Sequence, residues 1–234
     1  MEARVLDRFA WRLTAEDLLR RLRAREGSAE AAEVRRLVGE AEAIGRPRAL
    51  AGVAYVDERG GDYVVIDGIR FASRVLVVNL QQTHRVFPFV ATCGGELEEW
   101  AAGLDDILHR FWSEAIREAA MRTAVDALVA HLDESYQPGE LSRMSPGSLA
   151  DWPLQEQMPL FRLLGDPAAA IGVHLTSSLL MVPSKTVSGI RFGGASGFES
   201  CMLCPREICP GRRAAYDPEL YARRYRTAPA AGAG

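Results

Sequence analysis

The sequence predicts a mixed α/β fold of the α+β kind on three observations: a helical N-terminal stretch, a block of short runs rich in Val, Ile, Tyr and Phe, and a long amphipathic stretch after Gly94-Gly95. Its 234 residues, 48% hydrophobic and 25% charged, suffice to bury a substantial core. Lys and Arg number 28 against 31 Asp and Glu, a net charge of -3, so neither nucleic acid nor an anionic membrane is the expected partner. The opening MEARVLDRFAWRL is interrupted by Glu2, Arg4, Asp7 and Arg8, unlike a signal peptide, and no run reaches the roughly 18 apolar residues of a membrane span. The cytoplasm is the expected compartment, and there the four cysteines stay reduced.

Between Thr14 and Ala43, Leu18, Leu19, Leu22, Ala31, Val34, Leu37, Val38 and Ala41 recur at helical spacing, interrupted at Gly27-Ser28, which predicts two helices with Thr14 capping the first. AGVAYVD, DYVVID and IRFAS read as strands, with Asp67-Gly68 as a two-residue hairpin turn because such turns need positive φ. SRVLVVNL and RVFPFVATC continue the β-type composition, and Pro88 marks the second as an edge or irregular strand. After Gly94-Gly95, the series Leu97, Trp100, Ala101, Leu104, Leu108, Phe111, Ala115, Ala119, Leu128 and Leu132 predicts the main core helix, broken near Gly103 and ended by Pro138-Gly139. Arg143 to Gly147 reads as an irregular loop, and Leu154 to Leu164 as a helix stopped by Gly165 and Pro167. HLTSSLLMVPSKTVSGIRFG reads as two strands turning near Pro183-Ser184, and Pro218 to Arg226 as a short basic helix. These readings divide the chain into an N-terminal helical segment (1–47), a core (48–200), a cysteine loop with a short basic helix (201–226) and a disordered tail (227–234).

The sharpest chemical signal is Cys201, Cys204 and Cys209, a C-x2-C-x4-C run stiffened by Pro205 and Pro210. Three thiols in one loop point to an Fe-S cluster, with zinc second, and the spacing matches neither common ferredoxin run. A fourth ligand would have to be Cys93, for which a buried structural thiol is the other reading. His84, His109, His131 and His174 are scattered and lack ligand spacing. Arg143-Met-Ser-Pro-Gly147 suits a small-molecule carboxylate, since a guanidinium grips one bidentately; the plainer reading is a Ser-Pro-Gly turn with a solvated Arg. Asp126 falls on the side of the long helix that carries Leu108, either paired with Arg122 one turn earlier or facing a cationic ligand group. Motifs for dinucleotides, P-loops and α/β-hydrolases are missing from the sequence, as is the Asp-x-His-x-x-Gly cobalamin-ligand motif.

The order of Arg143-Met-Ser-Pro-Gly147, a short helix, and Gly172-Val-His-Leu-Thr-Ser-Ser-Leu-Leu-Met-Val-Pro-Ser-Lys-Thr-Val-Ser-Gly189 resembles the activation domain of cobalamin-dependent methionine synthase. Leu175, Thr176, Ser178, Met181, Pro183, Val187, Ser188 and Gly189 match that family's second motif, and the likeness spans roughly residues 50 to 198. The resemblance implies a twisted antiparallel sheet with flanking helices and a site for S-adenosylmethionine at Arg143, Ser145 and Gly147. It further implies an acidic contact at Asp126, where the family has Glu, and an aromatic one loosely matched by Phe198. The Cys run resembles the C-terminal cluster of separate activation-domain proteins. The implied role is a stand-alone reactivation protein, an accessory of the methyltransferase class. It would support reductive remethylation of cob(II)alamin held by the cobalamin-binding module of methionine synthase or another corrinoid protein, with ferredoxin or flavodoxin as electron donor. The alternative is a metal- or Fe-S-binding redox or docking module that does not use S-adenosylmethionine.

Overall fold

A computed structural model describes residues 1–22, 25–194, 197–209 and 211–226, so the tail expected to be disordered (227–234) lies outside the described residues. Strand β1 (Ala3–Leu6) precedes helices α1 (Ala15–Leu22) and α2 (Ala29–Ile44). The break between the helices falls at Gly27-Ser28, as the spacing predicts, and the Ser28 hydroxyl caps α2 by accepting from the Ala31 N–H at 3.2 Å. Strands β2 (Arg48–Gly52), β3 (Ala54–Arg59), β4 (Tyr63–Ile66) and β5 (Ile69–Ala72) follow. Asp67 and Gly68 take φ of 42° and 75°, the doubly positive turn that their pairing predicts.

Two segments depart from their composition. SRVLVVNL forms helix α3 (Arg74–Asn79) instead of a strand. Ser73 accepts from the Leu76 N–H at 2.9 Å, and Asp151, from a distant loop, accepts from the Val75 N–H at 2.9 Å and from the Ser73 hydroxyl. Capping from outside the segment, with Val75 and Leu76 fully buried, overrides its β propensity. Arg85–Thr92 (β6), expected at an edge because of Pro88, is the central strand. One side of β6 pairs with β2 up to Ala51↔Phe89 and then with β3 from Ala54↔Val86. Pro88 sits at that change of partner, where its missing N–H deprives neither strand of a ladder bond.

On the other side of β6 lies β10 (Thr186–Phe192), which carries the three-residue strand β7 (Ser142–Met144) on its outer edge. Every pairing between these strands is antiparallel, so the mixed helices and antiparallel sheet agree with the expected fold class. Between β6 and β7 run α4 (Gly95–Ala102) and α5 (Ile107–Tyr136), divided at Gly103. Ala124, Leu128 and Leu132 of α5 cover one face of the sheet against Phe87, Phe89 and Ala91, while α1, α2 and α4 pack around Trp112, Ala115 and Ile116. The opposite face packs on α3, α6 (Gln157–Leu164) and α7 (Pro167–Ile171), with Trp152 and Leu160 fully buried.

Leu108 and Phe111, expected in the core, are 52% and 61% exposed at the start of α5. The buried series begins one turn later at Trp112, where α2 and α4 first meet the helix. A short hairpin of β8 (His174–Leu175) and β9 (Met181–Val182) precedes β10. The expected basic C-terminal helix is a single π-type turn (Tyr221–Tyr225), docked by the fully buried Tyr225, whose hydroxyl donates to Asn79 Oδ1 at 3.0 Å. Among the described residues no helix is long and apolar enough to cross a membrane.

Candidate functional site

Strand β7 joins β10 with Arg143 directly opposite Arg191, so both side chains leave the sheet on the same side. The contact depends on Gly189: a Cβ there would lie 2.2 Å from the Met144 carbonyl oxygen, so the β7 backbone would have to shift. The second half of α5 brings Met121, Val125 and Asp126 over this edge, and Glu199, Arg212 and Arg213 arrive from the C-terminal segment. These parts enclose a cleft of about 640 Å³, a size suited to a small-molecule ligand.

The charges in the cleft are incompletely paired. Burial, together with the nearby Arg213 and Arg191, pushes the Arg143 guanidinium down to about 10. Burial and Arg213 lower Arg191 as well, against the opposing pull of Glu199, Asp133 and Asp126. Glu199 is committed to Arg213 at 2.7 Å. Arg122 binds Glu118 at 2.7 Å, which corrects the expected Arg122–Asp126 pair. Asp126 shares the side of α5 that carries Leu108, Ala115 and Ala119; Ala115 and Ala119 pack against the helical cluster, whereas Asp126 itself is exposed. Among the described residues, Asp126 has no ion pair, and neither does Arg143 or Arg191. The buried Arg191 Nε lacks an acceptor, while its guanidinium carbon sits 5.5 Å from the Phe89 ring centroid.

Sequence expectation and structure part company around Arg143. Gly147 takes φ of 78° and donates its N–H to the Trp152 carbonyl at 2.8 Å, and the Ser145 carbonyl accepts from the Ser148 N–H at 3.1 Å and hydroxyl at 2.6 Å. The turn uses these backbone groups internally, and the residues that line the cleft are Arg143 and Asp126 rather than Ser145 and Gly147. Phe198, expected beside the ligand, is 2% exposed and packs edge-to-face on Tyr225 at 6.2 Å in the core. Arg191, Glu199 and Arg213 lie outside the sequence motifs. The signal for Arg191 was the alternation of Val187, Gly189 and Arg191 on one face of a strand.

The cysteines do not assemble as their spacing suggests. Cys204 packs against the core, whereas the Cys201 Sγ accepts from the Arg213 N–H at 3.4 Å. The loop is instead tied by Arg212, whose guanidinium donates to the carbonyls of Cys201 (3.2 Å), Cys204 (3.4 Å), Ala214 (3.3 Å) and Arg206. Cys93 is fully buried near α4 and α5, its backbone N–H bonded to the Lys185 carbonyl. Cys93 belongs to the helical cluster around Trp112, whereas Cys204 packs against the cluster on the opposite face of the sheet. Among the described residues no group of three or more His, Cys, Asp or Glu side chains converges to hold a metal ion, and the donor set does not fit the Fe-S or zinc site expected of it.

No protein-family model matches the chain, and no curated protein matches it. Among solved structures it is similar to the MetH reactivation domain bound to AdoHcy, with a TM-score of 0.55 and 18% identity, over 85% of this chain and 80% of that one. The likeness takes in the antiparallel sheet and its helices, and at this identity it is a likeness of fold. The chain has the fold of the methionine synthase reactivation domain.

Proposed function

We propose that the chain binds S-adenosylmethionine in the cleft between α5, β7 and β10 and supports reductive remethylation of cob(II)alamin held by a corrinoid protein, acting in trans. The observation that carries this reading is the meeting of unpaired Arg143 and Arg191 with unpaired Asp126 in one cleft, which complements the carboxylate and ammonium ends of the ligand. The similar MetH domain is bound to AdoHcy, the demethylated form of that ligand.

A corrinoid held by the partner would supply a reduced cobalt nucleophile, its electron coming from a low-potential donor, and would take the methyl group from the sulfonium, leaving S-adenosylhomocysteine in the cleft. No proton moves in the transfer, so the protein needs no general base. Its task is orientation, with Arg143 on the carboxylate, Asp126 on the ammonium, and the turn through Ser145 and Gly147 fixing where Arg143 points. A low-potential protein such as ferredoxin or flavodoxin fits the electron requirement.

Calorimetry with S-adenosylhomocysteine tests the site. Arg143→Ala is expected to weaken binding about thirtyfold, roughly 2 kcal/mol. The activity test mixes the protein with a cob(II)alamin-loaded corrinoid protein, methyl-labelled S-adenosylmethionine and a low-potential reductant. Label on cobalt supports the reading; cobalt reduction without labelled methyl transfer would move it to a redox or docking module.

A further inference from the structure

We infer that Arg143 and Arg191 together form a two-guanidinium site for one oxyanion, with Arg191 as its second anchor. On the reading above, on which this identification of the ligand rests, the oxyanion is the carboxylate of S-adenosylmethionine. The cross-strand register sets the two side chains opposite one another, where like charges repel. Glu199, the acid that acts on both arginines, is held by Arg213, and Asp126 and Asp133 act on Arg191 without forming an ion pair. Two half-buried cations with no carboxylate within ion-pair distance among the described residues form an arrangement that a ligand anion stabilises. A carboxylate has four lone-pair directions on two oxygens and can accept from both forks. Arg191 is also pre-aimed: its strand is paired on both sides and its guanidinium rests near Phe89.

The test is a thermodynamic cycle. S-adenosylhomocysteine and 5′-methylthioadenosine, which lacks the amino-acid carboxylate, are titrated into the parent protein, Arg191→Gln and Arg191→Lys. Thermal stabilisation by inorganic sulfate is measured on the same three proteins. Arg191→Gln is expected to weaken S-adenosylhomocysteine about tenfold or more and to leave 5′-methylthioadenosine within about twofold, with partial recovery in Arg191→Lys. Equal loss for both ligands, or no loss for either, overturns the inference and leaves the proposed function standing. If neither nucleoside binds the parent but sulfate stabilises it and not Arg191→Gln, the oxyanion site stands and the S-adenosylmethionine reading falls. If sulfate and both nucleosides are without effect on the parent, both fall. Should Arg191→Gln fail to fold, Arg191→Lys decides: undiminished binding of S-adenosylhomocysteine by that variant counts against the inference.

Discussion

Gly189 shows how one side chain's absence can set the geometry of a site. Its missing Cβ allows the Met144 backbone to approach β10, and that approach puts Arg143 opposite Arg191. Gly189→Ala should therefore push β7 away, cost about 1–3 kcal/mol in urea unfolding, and weaken S-adenosylhomocysteine in calorimetry. Gly61→Ala is the control, because a Cβ there meets nothing within 4 Å, and it should stay within about 0.5 kcal/mol of the parent. Equal stability in the two variants would mean that β7 tolerates displacement and that Gly189 does not set the site. Arg143 has a similar dependence on its surroundings: a guanidinium already pushed down to about 10 by burial and by its neighbours regains its charge preference when an anion arrives.

Helix α3 exists because of residues far from it in sequence. Asp151 accepts from the Val75 N–H at 2.9 Å and from the Ser73 hydroxyl, and through its other oxygen it receives the Tyr221 hydroxyl at 3.3 Å. One carboxylate thus caps a helix and holds the C-terminal turn that buries Tyr225. Asp151→Ala should cost about 1–2 kcal/mol and raise hydrogen exchange at the Val75 and Leu76 amides. Unchanged exchange there would return the stability of α3 to its apolar packing alone. The Cys201 loop is held in a related way by Arg212, which satisfies four backbone carbonyls at once. Arg212→Ala should speed limited proteolysis between residues 201 and 214 with little change in the global melting temperature; an unaltered cleavage rate would show that the loop is secured by other contacts.

At the scale of the whole molecule, Cys93 links stability to alkaline pH. Burial raises its thiol from an ordinary 9.0 to about 12, so the folded state keeps a proton that the unfolded chain releases. The stabilisation is complete below pH 9.0 and declines between there and about 12, by up to roughly 1.4 kcal/mol per pH unit. Tyr221 and Tyr225 are raised from 10.0 and add a decline of the same sign, so the contribution of Cys93 is read as the difference from Cys93→Ala. That variant should show a shallower loss of stability from pH 9 to 11 in urea titrations. Parallel slopes would mean that the thiol is not protected. The same burial predicts that a thiol reagent modifies Cys201, Cys204 and Cys209 in the folded protein and reaches Cys93 only on unfolding.

The chain's local grammar was enough for much of the architecture. The break at Gly27-Ser28, the Asp67-Gly68 turn, the division at Gly103 and the long helix that follows all lie where periodicity and turn chemistry put them, because each depends on residues within a few positions of one another. Arg143, expected in an irregular loop, instead lies in the short strand β7 at the edge of the sheet. What tertiary structure decided was every relation across distance. Asp151 turned a β-rich segment into a helix, and a change of partner strand made room for Pro88 at the sheet's centre. The β7–β10 register brought Arg191 beside Arg143, while packing put Cys93 and Cys204 in different core clusters. Spacing along a chain records which side of its own helix or strand a residue occupies; the distance between two residues in different elements is set by how those elements pack and pair.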